Sequence, residues 1–144
     1  MTLSKLREMT HIYARDTNGY VFPEDYIDMF INQAIDVLRQ YPLFRGMKYL
    51  EESSDEPNLL PPYYHYMLAI FAASRCYDID ERFYEGVEKR NEFESLLDDL
   101  LAEIHAGNIV IYDEEGNIIE DTANYMDVVT DVYFKGGAED ETIL

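Results

Sequence analysis

The chain has 144 residues with 30 acidic and 11 basic side chains, a net charge of −19, one cysteine and no tryptophan. That length suits one main domain with its own core plus an appendage, and the charge argues against a nucleic-acid binder, which needs Lys and Arg for phosphate contacts. A single cysteine, Cys76, excludes an intrachain disulfide framework and a paired-cysteine zinc site, so a reducing compartment, the cytoplasm by default, is expected.

At the start, "MTLSKLREM" lacks the apolar stretch of a secretory signal. The longest apolar run, residues 66–73, is far short of the roughly 18 residues of a membrane span, so no membrane partner is expected. Leu3, Leu6, Met9, Thr10 and Tyr13 recur at helical spacing and predict a short amphipathic helix over 2–14. "RDTNGYVF" supplies turn formers. A second helix then follows from Pro23 to Pro42, with Glu24 and Asp25 at its positive end and a core stripe of Ile27, Phe30, Ile31, Ala34, Leu38 and Tyr41.

The connection over 43–58 is polar and long for a helix link, which marks it as a functional or mobile loop. "LPPYYHYMLAIFAASRCYDID" predicts a third helix opened by Pro61 or Pro62. Its apolar residues occupy nearly every side, so it should be central, with Ala72, Ala73 and Ser74 permitting close approach of a neighbour. The fourth helix, over about 80–105, should bury Phe83, Val87, Phe93, Leu97, Leu100, Leu101 and Ile104. Its solvated face would carry Glu85, Glu88, Glu92, Asp98, Asp99 and Glu103, and Arg90 should pair with Glu94 one turn on.

Gly107 fits the residue just past a helix end. Alternation in "GNIVIYDEEGNII" predicts a hairpin of strands 108–112 and 117–120 around "DEEG". Domain organisation is therefore expected as a helical bundle over 1–106 and a hairpin with an extended arm over 107–144. Acidity is concentrated late: residues 92–144 hold 15 acidic side chains against Lys135 alone.

Few residues suggest catalysis. His11, His65 and His105 lack the spacing of a helical zinc pair, and "DEEGN" lacks the alternating oxygens of a calcium loop. There is no phosphate-binding glycine motif and no serine elbow, while Cys76 lies in the most apolar helix. The expectation is a protein that is not an enzyme and takes no metal or cofactor. Thirteen tyrosines suit surfaces that are wet before assembly and buried after it. Expected partner contacts are Ile109, Ile111 and Ile118 of the hairpin, with Tyr125, Met126, Val128, Val129, Val132, Tyr133 and Phe134 of the tail.

This order of signals resembles the head-to-tail connector, adaptor or head-completion proteins of tailed bacteriophages. The likeness spans residues 2–105 and rests on Pro23-Glu24-Asp25 leading to Ile31-Asn32-Gln33-Ala34, then Leu60-Pro61-Pro62, His65-Tyr66 and Ala72-Ala73. It implies a mainly α, small antiparallel bundle of about four helices, here with a C-terminal β-hairpin and extended arm. It also implies a homo-oligomer ring, usually of twelve copies, at the neck between capsid and tail of the virion, assembled in the host cytoplasm.

Such a ring binds below the portal protein, extends the DNA channel and offers a surface to a downstream tail or stopper protein. Passing double-stranded DNA would slide without specific binding because acidic walls repel phosphates; Glu85, Glu88, Glu92, Asp98, Asp99 and Glu103 are the candidate channel carboxylates. The competing expectation is an acidic DNA mimic that inhibits a DNA-binding enzyme, which accounts for the charge and leaves the apolar tail idle.

Overall fold

The computed structural model describes residues 1–15 and 22–120. Four helices, α1 (Leu3–Tyr13), α2 (Glu24–Arg39), α3 (Met67–Ile79) and α4 (Phe83–His105), are followed by a hairpin of β1 (Ile111–Tyr112) and β2 (Ile118–Ile119). Short 3-10 turns at Pro42–Phe44 and Pro62–Tyr64 bracket the connection between α2 and α3. The fold is thus a mainly helical bundle with a small antiparallel hairpin. No helix among the described residues is long and apolar enough to cross a membrane.

The helix α3 is the centre, packed by each of the other three helices. Leu68, Ala69, Ala72, Ala73 and Cys76 are fully buried along it and Ile70 nearly so, which needs apolar side chains on most of its circumference; Arg75 and Ile79 remain exposed. Two contacts set α1 beside α3 in parallel. The Tyr77 hydroxyl donates to the Tyr13 carbonyl at 2.9 Å, and near the other end the Met1 amine lies 2.9 Å from Nδ1 of His65. A tight turn reverses the chain into α4.

That turn satisfies the last carbonyls of α3: the Arg82 N–H donates to Tyr77 at 2.8 Å and the Glu81 N–H to Asp78 at 3.1 Å. Glu81 takes the left-handed conformation there, φ 59°, a position usually given to glycine. At the end of α4 the same arrangement uses Gly107, φ 84°, matching its expected place.

The first turn of α4 departs from the sequence reading. Phe83 and Val87 are exposed, and Gly86 is the buried residue. A Cβ at Gly86 would collide with the Asp78 carboxylate and lie 3.3 Å from the Ser74 carbonyl, so the backbone of α4 itself sits against α3. With Gly86 as the contact point, Val87 lies about 100° round the helix and turns outward, and Phe83, the first residue of α4, is exposed as well. Farther along, Phe93, Leu97 and Leu100 are buried as expected. Arg90 is also corrected: its guanidinium reaches Asp78 of α3 at 2.5 Å, so the pair ties two helices together, where Glu94 was the expected partner.

The long connection is pinned by polar side chains. Asn32 of α2 donates to the Leu50 carbonyl at 3.0 Å and accepts from its N–H at 2.9 Å. Asn58 bridges Lys48 and Gly46, and Asp55 accepts from the N–H groups of Glu51 and Glu52. The same stretch satisfies the open N–H groups at the start of α1, where Leu3 donates to Asp55 at 2.8 Å and Ser4 to Ser53 at 3.0 Å. Arg7 joins α1, α2 and the connection through two bonds to Asp28, at 2.7 and 2.8 Å, and one to Ser53 at 2.9 Å.

In the hairpin Ile111 faces Ile119 and Tyr112 faces Ile118. Asp113 organises the turn by accepting from Glu115 and Asn117, each at 2.9 Å, while Gly116 supplies the positive φ of 85°. The strands are shorter than expected, and the hairpin is part of the bundle. Ile111 is 3% exposed and belongs to the same core cluster as α3, with Ile109 and Ile119 packed against it. Lys48 of the connection reaches Glu114 of the turn at 2.6 Å. A division after residue 106 therefore cuts through a shared core. Replacing Ile111 by Ala should lower bundle stability by about 2 to 4 kcal/mol, whereas Ile118→Ala should stay within about 0.5 kcal/mol; urea unfolding followed by helix circular dichroism distinguishes the two.

Candidate interaction surfaces

Three surfaces hold the chemistry that faces solvent, and the first is built by "LPPYYHY". Pro62 opens the short turn, the Tyr64 N–H donates to Pro61 and that of His65 to Pro62. His65 points inward, with Nε2 2.8 Å from the Leu60 carbonyl, and so anchors the turn from beneath. Tyr64 is buried, Tyr66 half-buried, and Tyr63 is 77% exposed with its ring edge-on to Tyr64 at 5.3 Å.

Facing these rings across an open groove of about 740 Å³ are Leu96, Asp99, Ala102 and Glu103 of α4 and Ile109 beyond it. The ten side chains lining it include no Lys or Arg. Burial, with the nearby carboxylates Glu103 and Asp99 adding to it, raises the Tyr64 phenol above its ordinary value. Burial raises Tyr66 as well, with Tyr63 and the carboxylates Glu92 and Asp99 adding to it. Both stay neutral rings at physiological pH. Glu103 is oriented by a 2.8 Å bond from the Asn108 side-chain amide.

A second, smaller groove of about 280 Å³ lies between α2 and α4. Phe71 and Phe93 form its floor, 5.1 Å apart, with Val37, Tyr41 and Leu97 beside them and Arg90, Glu94 and Asp98 at the rim. The third surface is the opposite end of the bundle from Tyr63, where α3 ends and α4 begins. Ile79, Phe83, Tyr84 and Val87 are exposed there, Phe83 at 60% and Tyr84 at 74%.

Of the hairpin residues expected to meet a partner, only Ile118 is open, at 58% exposure. Ile111 is corrected to a core residue, and Ile109 is half-buried against that core. Tyr125, Met126, Val128, Val129, Val132, Tyr133 and Phe134 lie outside the described residues.

The six α4 carboxylates do not form one open wall. Asp99 and Glu103 border the tyrosine groove, while Asp98 projects into the groove beside α2. Glu85 is drawn below its ordinary pKa by its own backbone N–H and by Arg82, 3.0 Å away. Glu92 meets Lys89 at 3.3 Å, and Glu88 is exposed. The pairing of Tyr63 with Asp99 across a groove was invisible in the sequence because it depends on how the turn before α3 meets the far end of α4. Exposure of Phe83 and Tyr84 was hidden too, since it depends on how the start of α4 meets α3 at Gly86.

No group of three or more His, Cys, Asp or Glu among the described residues could hold a metal ion. Comparison with protein-family models, with curated proteins and with solved structures finds no match to this chain.

His65 gives the tyrosine turn a pH dependence. Burial lowers its pKa below the ordinary 6.5, with the Leu60 carbonyl opposing that shift in part. A folded pKa below the unfolded one means that the unfolded chain binds the proton first. Stability is therefore complete above pH 6.5 and declines as pH falls from there through the folded pKa. Urea midpoints measured from pH 8 to pH 5 should fall across that window, and imidazole NMR should place the His65 midpoint below 6.5; a midpoint above it contradicts the buried neutral ring.

Proposed function

We propose that the chain is a structural adaptor of a tailed bacteriophage virion, a head-completion protein that assembles as a ring below the portal and receives the tail. The observation that carries this reading is aromatic exposure at both ends of one small bundle. Tyr63 stands out at the start of α3, and Phe83 with Tyr84 at the start of α4. The 13-residue length of α3 separates those ends by roughly 20 Å. Large aromatic side chains with polar tips are the commonest anchors of protein interfaces, and a connector needs anchors in two directions.

The resemblance of residues 2–105 to head-to-tail connectors supports the same reading. In a ring of copies, exposed carboxylates such as Glu88 on the outer side of α4 would present like charge to passing DNA and let it slide. Apolar residues 125–134 would supply further contact with the portal or a neighbouring subunit. Charge alone would also suit a DNA mimic. That reading is not carried forward, because much of the acidity on α4 is paired with Arg82 and Lys89 or divided between two grooves.

The test separates the two ends. Portal-bearing capsids of the parent virus are mixed with Tyr63→Ser or with Phe83→Ser/Tyr84→Ser protein, and capsid attachment and tail joining are scored separately. One variant should fail to attach. The other should attach and fail to recruit tails. If both variants act like the unaltered chain, or both fail at the same step, the two-ended adaptor is wrong.

A further inference from the structure

The charge arrangement around the tyrosine groove differs from that elsewhere on the molecule. Six of the ten basic side chains among the described residues are committed to a carboxylate: Lys5 to Glu8, Arg7 to Asp28, Lys48 to Glu114, Arg82 to Glu85, Lys89 to Glu92 and Arg90 to Asp78. At the groove, Asp99 and Glu103 face three phenol rings with no base among the lining residues. Negative charge there meets the electron-rich faces of Tyr63, Tyr64 and Tyr66, and both attract a cation.

We infer that this groove is the docking site for an arginine- or lysine-bearing segment of a partner protein, whose cationic head lies between the tyrosine rings and the Asp99 and Glu103 carboxylates. Charge complementarity selects this occupant. An acidic segment would be repelled, and the stretch of this chain beyond Glu120 is a poor candidate because Lys135 is its only basic residue. A purely apolar segment would bury two negative charges with no countercharge, and Glu103 would keep only its neutral Asn108 donor, which costs more than the tyrosine contacts return.

The geometry favours arginine over lysine. A planar guanidinium stacks on a ring and still donates at its edges, and the Tyr63 ring, set edge-to-face on Tyr64, is open to solvent. At 77% exposure the Tyr63 ring is accessible to a bound side chain.

This inference deepens the adaptor reading by naming the chemistry of one partner segment, and it fails separately from that reading. The full chain, labelled for NMR, is titrated with the peptide Gly-Arg-Leu-Arg-Gly and with the same peptide carrying neutral citrulline at both arginines. The arginine peptide should shift the signals of Tyr63, Tyr64, Tyr66 and Asp99 and bind more tightly than its neutral twin.

Asp99→Asn with Glu103→Gln should weaken binding by about tenfold, and Tyr63→Ala by about fivefold. Glu51→Gln with Glu115→Gln, an equal charge change at exposed positions outside the groove, should leave it within about twofold, as distant surface charges are screened. Equal weakening by both charge pairs would reduce the effect to general attraction for an acidic protein and overturn the site. Equal binding of the citrulline peptide would overturn it as well. Capsid attachment that persists while the peptide fails to bind removes the groove and leaves the adaptor standing.

Discussion

Burial of α3 on most of its circumference, with only the stripe of Phe71, Arg75, Asp78 and Ile79 left partly or fully open, is the constraint from which the rest of the structure follows. A helix this apolar has to be enclosed, and among the described residues three other helices enclose it. Small residues make this feasible. Ala69, Ala72, Ala73 and Ser74 let neighbours approach, the Ser74 hydroxyl is satisfied by the Phe71 carbonyl at 2.6 Å, and Gly86 brings the backbone of α4 onto α3. Each surrounding helix then has one inner and one outer side. The outer sides carry the charge and exposed aromatic residues, the most open of them, Tyr63 and Tyr84, at the two ends of the bundle.

The helices were legible in the sequence because their periods are strong and their ends carry proline, acidic residues or glycine. Gly107 and the "DEEG" turn were legible for the same local reason. Less visible was anything that depends on contact between distant segments. Arg90 and Glu94 looked paired because they are one turn apart, yet Asp78 is held closer by the packing of α4 on α3. Ile111 looked like a free anchor because the strand alternates, yet the hairpin folds back and places it in the core. The connection after α2 looked loose because it is polar, and those same Asn and Asp side chains are what fix it. The tyrosine groove belongs to this class, since its two walls, residues 61–66 and 96–109, are far apart in the chain.

Charge is unevenly distributed within this frame. Basic residues are few, and three of them form ion pairs between elements, with Arg7 joining α1, α2 and the connection, Lys48 joining the connection to the hairpin turn and Arg90 joining α3 to α4. What remains on the outside is acidic surface with aromatic islands. Such a surface repels nucleic acid over most of its area, while the aromatic ends keep the geometry of protein interfaces. An adaptor beside a DNA channel requires both properties at once: little grip on the duplex and firm contact with proteins above and below.

Electron microscopy of the protein mixed with portal-bearing capsids of its parent virus tests that proposal most directly. The account predicts a closed ring of copies at the portal vertex, with α4 carboxylates toward the channel and an aromatic end of each bundle against the portal. Capsids whose portal vertices stay bare in the presence of folded protein would contradict it.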